Sequence, residues 1–247
     1  MLKKFFVLFG ILFVLPVVAS TVSNSGTSVT VSPKALSSVP LDEAAIRVYA
    51  ARTWGLKKYL AVHTWVALKD AGESEFTRYE IFGWAKYRDE EVLVSHVGDH
   101  DAPWYGNLPT LLVDISGEEA KNLIGQVEQA IENYPYRNSY TLYPGPNSNT
   151  FTAYIGRQVP ELKLDLPSTA IGKDYVKLGQ AFSPAVSGTG YQLSLWGLLG
   201  LTLAREEGLE LNLLGLNFEL DVFDAAIELP GVGRIGKQQV DKPKAEL

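Results

Sequence analysis

The chain has 247 residues, 46% of them hydrophobic, with no cysteine and a formal net charge of −6 at neutral pH. That length and apolar content suffice for a full core without covalent staples, so one domain with additions is the expectation. The missing cysteines exclude disulfides, thiolate metal sites and a thiol nucleophile, and the acidic balance argues against a nucleic-acid partner, whose phosphates need a basic surface.

Met1-Leu2-Lys3-Lys4 is a basic start to an apolar run from Phe5 to Ala19, which closes on Val17-Val18-Ala19. Residues 1–19 therefore read as an export signal cleaved near Ala19 or Ser20, with an uncleaved anchor as the alternative; the run is short for a span of about 20 residues. The expected location is exported, periplasmic or secreted, and any membrane attachment is through this segment alone. Residues 20–41, rich in Ser, Thr, Val and Pro, read as a linker, 42–236 as one globular α+β domain, and 237–247 as a polar, frayed tail.

Within that domain Asp42 to Trp54, with Ala44, Ile46, Val48, Tyr49 and Ala50, reads as a short helix. Leu60 to Leu68 reads as a strand with His63 and Trp65 on one face and Thr64 and Val66 on the other. Phe76–Trp84 and Glu91–Val97 complete an antiparallel meander. Ser116 and Glu119 have the spacing of a capping box, opening a helix whose apolar face is Ala120, Leu123, Ile124, Val127, Ala130 and Ile131. The stretch Tyr143-Pro144-Gly145-Pro146-Asn147-Ser148-Asn149-Thr150-Phe151 then delivers a serine to the start of a second helix, which runs until Pro160. After Leu166, glycines recur between short apolar stretches such as Leu193-Ser194-Leu195-Trp196, the texture of a second sheet.

The chemistry-bearing residues form two groups. A hydroxyl at a helix N-terminus sits in a positive field, and a serine needs a base and a group that orients the base. Ser148 is the candidate nucleophile, His63 the base, and Glu80 on the neighbouring strand the orienting group, ahead of His96. Asn147 and Asn149 would donate to an oxyanion or brace the turn, and Trp65, Trp84 and Trp104 would wall a pocket. The second group, His96, Asp99, His100 and Asp101, has the residue types of a divalent-metal site, but Gly98 prevents a shared helical face, so a polar loop is the expectation. No cofactor is implied. Lys173, behind a lone glycine, is not part of a phosphate loop.

Val62-His63-Thr64-Trp65, Gly83-Trp84, Tyr134-Pro135-Tyr136, the Pro144–Phe151 run, Ala170-Ile171-Gly172-Lys173-Asp174-Tyr175 and Ser187-Gly188-Thr189-Gly190 together resemble an uncharacterised bacterial domain family of unknown function. More distantly, the order of a His-bearing strand, a meander and a helix opened by Asn147-Ser148-Asn149-Thr150-Phe151 resembles the circularly permuted papain-like hydrolases and acyltransferases, with Ser148 where those proteins carry a cysteine. That resemblance implies a permuted papain-like core, an antiparallel meander packed on two helices, with a β-rich C-terminal extension. It implies a Ser-His hydrolase or acyltransferase acting on amide or ester bonds in the cell envelope; the alternative is a non-catalytic binding or scaffold protein for an envelope peptide, lipid or glycan.

Overall fold

The computed structural model describes residues 39–222 and 225–236. The segments expected to be an export signal, all but the end of a linker, and a polar tail lie outside the described residues. The architecture is α+β: two antiparallel sheets and, among the described residues, two α-helices.

The first sheet contains β1 (Ala45–Arg52), β2 (Val62–Lys69), β3 (Thr77–Ile81), β4 (Leu93–Val97) and β5 (Thr110–Ser116), in the spatial order β4-β3-β2-β1-β5. The meander expected from the sequence is β2-β3-β4. The segment expected to be a helix is instead β1, and it lies between β2 and β5 near the sheet centre. Its first seven residues are all buried, so both faces are covered and no polar alternation reveals the strand; Ile46, Val48 and Tyr49 supply the β preference.

Helix α1 (Glu118–Glu132) and helix α2 (Ser148–Gln158) cover one face of this sheet. The expected apolar stripe of α1, from Ala120 to Ile131, is buried there with Ile46, Val48, Val66 and Ile115 of the sheet and Phe151 and Ile155 of α2. Each leucine, isoleucine, valine or phenylalanine among them contributes about 1.5–3 kcal/mol when fully removed from water. The capping box is corrected: Ser116 ends β5, and Gly117 is the N-cap, with no side-chain cap. Gly117 has φ +70°, and the chain turns there directly from strand to helix.

The second sheet is a meander of β6 (Phe182–Pro184), β7 (Gly190–Leu195), β8 (Leu199–Ala204), β9 (Gly208–Leu213), β10 (Leu216–Asp221), β11 (Ala226–Leu229) and β12 (Gly233–Ile235). Its alternation is inverted relative to an ordinary soluble sheet. Gln192, Thr202, Glu210, Asn212, Glu219 and Glu228 point inward and are buried, while the intervening leucines are exposed. One outward row runs Tyr191, Leu203, Leu209, Leu220, Ile227 and Ile235 across six strands.

The inward polar layer is held by the segment before β6. Lys173 pairs with Glu210 and donates to Leu166 O at 2.8 Å. Asp174 accepts from Asn212 and Asn217 at 2.6 and 2.8 Å, and Arg234 pairs with Glu219 and Asp221 at 3.0 and 2.6 Å. Burial pushes the carboxyls of Glu210 and Glu219 up to about 8 and about 7, against the pull of Lys173. Between the ordinary carboxyl value of 4.5 and about 8 the folded chain therefore holds protons that the unfolded chain has lost, so stability is expected to fall as pH rises. The slope is at most about 1.4 kcal/mol per pH unit for each proton held. Urea unfolding across that window measures it.

Candidate functional site

On the sheet face turned away from the helices, alternation aligns Arg47 and Tyr49 of β1, His63 and Trp65 of β2, and Arg78 and Glu80 of β3. All six are buried. His63 Nε2 lies 2.7 Å from Glu80 Oε2, and Arg78 Nη2 donates to the same oxygen at 2.8 Å. Arg78 Nε is 2.8 Å from Glu80 Oε1, an ion-pair contact without hydrogen-bond alignment. The guanidinium lies over Trp65, 3.9 Å from its ring centroid. Trp104, from the loop between β4 and β5, stacks on the imidazole at 3.8 Å with the planes 9° apart.

Burial lowers the His63 pKa, more than Glu80 raises it, so the imidazole is neutral near pH 7. A carboxylate only accepts hydrogen bonds, so Nε2 carries the proton and Nδ1 is the basic nitrogen. Burial pushes Glu80 up, but the hydrogen bonds from His63 and Arg78 and the charge of the guanidinium outweigh it and hold the carboxyl below its ordinary range. The expected pairing of His63 with Glu80 is thus present in geometry.

Ser148 belongs to a different set of contacts. Asn147 is the N-cap of α2: its Oδ1 accepts from the N–H groups of Asn149 and Thr150 at 3.0 and 3.1 Å, and Thr150 Oγ1 closes a capping box back to Asn147 N. Asn147 Nδ2 donates to the carbonyls of Leu142 and Ile171. Asn149 Nδ2 donates to Val62 O and Ile171 O, and its Oδ1 accepts from Thr64. Both amides therefore brace the turn, and the backbone N–H of Asn149 is itself bonded to Asn147. Gly172, at φ +99°, comes so close that a Cβ there would lie 2.5 Å from Asn147 Nδ2.

The β2 residue that meets the start of α2 is Thr64, whose hydroxyl lies 3.3 Å from Ser148 O and 2.9 Å from Thr152 Oγ1. Consecutive strand residues point to opposite faces, so His63 projects away from α2. No hydrogen bond among the described residues joins His63 to Ser148. Replacing Asn147 by alanine is expected to lower the unfolding free energy by about 2–3 kcal/mol, through loss of the cap and of donors to buried carbonyls. Ser148→Ala is expected to stay within about 1 kcal/mol, and denaturant titration of the two variants reads the difference.

The remaining expected residues are dispersed. Trp65 has no exposed surface and lies in the layer beneath Arg78, whereas Trp84 is 55% exposed on a 3₁₀ turn beside Tyr87, so the two do not wall one pocket. His100 stacks on Phe76 with Arg47 Nη1 3.3 Å from its Nε2, and His96 lies 3.9 Å from Glu80 Oε1. Among the described residues no three His, Cys, Asp or Glu side chains gather as a metal site. An open groove of about 340 Å³ lies along α1 and α2, lined by Gln126, Gln129, Asn133 and Tyr154 among others, and it contains none of these residues.

A family model described as a protein of unknown function, DUF3750, matches residues 43–175. The chain belongs to the DUF3750 family. The matched region begins just before β1 and ends at Tyr175, so it takes in the His63–Glu80 pair, the Asn147 brace and Lys173, and stops short of the second sheet. No curated protein and no solved structure matches the chain. The sequence reading missed Arg78, the cation that completes the DUF3750 polar layer. Its signal was present: Arg78 and Glu80 are two apart on a strand, as are His63 and Trp65, and such pairs share a face.

Proposed function

We propose that the chain is an exported, non-catalytic envelope protein that binds a peptide, lipid or glycan of that compartment or serves as a scaffold. The basic start and apolar run of residues 1–19 support the export reading. The observation that carries the non-catalytic reading is how the groups around Ser148 are used. Acyl transfer requires a base within reach of the hydroxyl and free donors for the oxyanion. Here Asn147, Asn149 and the Asn149 N–H are bonded within the fold, and Thr64 takes the place beside α2.

The second reading is a hydrolase or acyltransferase of permuted papain-like fold with Ser148 as nucleophile. It is favoured by the 2.7 Å contact between His63 and Glu80, which has the form of a base held by its orienting carboxylate and leaves Nδ1 as the basic nitrogen. A serine-reactive fluorophosphonate separates the two. The non-catalytic reading expects no adduct on Ser148 in protein recovered from the envelope fraction. An adduct mapped to Ser148, lost in His63→Ala while that variant remains folded, would establish the enzyme. Intact mass of the same material tests the expected cleavage near Ala19.

A further inference from the structure

We infer that the outward face of the second sheet is a homodimer interface, on which a second copy of this chain packs its own identical face. A row through Leu193, Leu201, Leu211 and Phe218 runs parallel to the row already described, and these four side chains are 53%, 49%, 41% and 40% exposed. Outward positions of β7 to β10 carry no charge, because Glu210, Glu219 and Asp221 all point inward. A continuous apolar face of this kind lies at the upper end of what a monomer leaves in water, where such patches commonly bind a partner.

Size and charge select the occupant. The four six-residue strands β7–β10 span about 20 Å, and with the shorter β6, β11 and β12 at about 4.8 Å spacing they make a face of roughly 550 Å² in plan. Two such faces together remove about 1,100 Å² or more, above the roughly 1,000 Å² that a specific interface should clear. An uncharged apolar face is complementary to itself under a two-fold rotation, and two sheets pack face to face at about 10 Å through interdigitated side chains. A bilayer is a poorer match. These strands are shorter than the 9–11 residues that cross a membrane, and the face presents no lysine or arginine to anionic headgroups in a chain of net charge −6. The strand edges are not required, so the association is sandwich packing rather than strand addition.

Sedimentation velocity of the full chain over a concentration series tests the inference. The wild type is expected to sediment as a dimer, and Leu201→Glu with Leu211→Glu to raise the dimer dissociation constant by about 100-fold or more while far-UV circular dichroism is unchanged. The chain has no cysteine, so Leu211→Cys supplies a second readout that leaves the face apolar. It is expected to form an intermolecular disulfide readily, whereas Asn122→Cys, exposed on α1, does not. A monomer at every concentration would overturn the inference. So would a dimer that survives the two glutamates, as one held by residues 5–19 would, or flotation with lipid vesicles that the glutamates abolish without any dimer.

Discussion

Replacing Glu80 by alanine is expected to destabilise the fold by about 3–5 kcal/mol, read as a lower midpoint in urea unfolding at neutral pH. Glu80 is 1% exposed and is the common acceptor of His63 and Arg78. Without it, the Arg78 guanidinium stays buried against Trp65 with no other ion-pair partner among the described residues, and His63 Nε2–H loses its acceptor. Most of the loss is the penalty of the stranded cation rather than the net worth of the ion pair, which desolvation largely offsets. Glu80→Gln keeps an acceptor but not the charge, so its loss should be smaller than that of Glu80→Ala. An Arg78→Met and Glu80→Gln double variant should lose less than the sum of its single variants, because neither then leaves an unmatched charge.

The second large effect is at Lys173, where methionine of similar reach is expected to cost about 3–5 kcal/mol at pH 8. Lys173 is 1% exposed and is the ammonium group beside Glu210, with Asp174 next to it in the chain. Its removal also leaves Leu166 O without its donor. With the cation gone, the Glu210 carboxyl is driven further above its ordinary range. The folded form then holds that proton more tightly relative to the unfolded chain, and stability falls more steeply as pH rises. The wild type releases the Glu210 proton near pH 8 and the variant only above it, so the destabilisation should be smaller at pH 7 than at pH 9. An equal loss at both values would indicate that packing, not charge, is what Lys173 supplies.

Where polarity varied with a regular period, the sequence was informative. The α1 stripe was legible because its opposite face is solvated, and the β2 alternation correctly placed His63 beside Trp65 and opposite Thr64. β1 was hidden because both its faces are buried and its alanines read as helix formers. The spacing of Ser116 to Glu119 suits a capping box, but the pairing of Ala45 with Ser116 draws the serine into the sheet. The second sheet was visible only as texture, since its alternation carries the usual period with the opposite sense. Of the site, the partnership of His63 and Glu80 followed from neighbouring strands. The link to Ser148 required knowing on which side of the sheet α2 packs, and no local pattern encodes that. Asn147 was recognised as a bracing residue, but not as the cap itself.

His63 and Ser148 belong to separate networks, one on each face of the sheet. Titration of the His63 imidazole by NMR, in the wild type and in Ser148→Ala, tests it most directly. The account predicts a midpoint below the ordinary histidine value, a neutral ring protonated at Nε2, and no change in that midpoint in the variant. A midpoint that moves when the Ser148 hydroxyl is removed would place the two groups in one hydrogen-bonded system and contradict it.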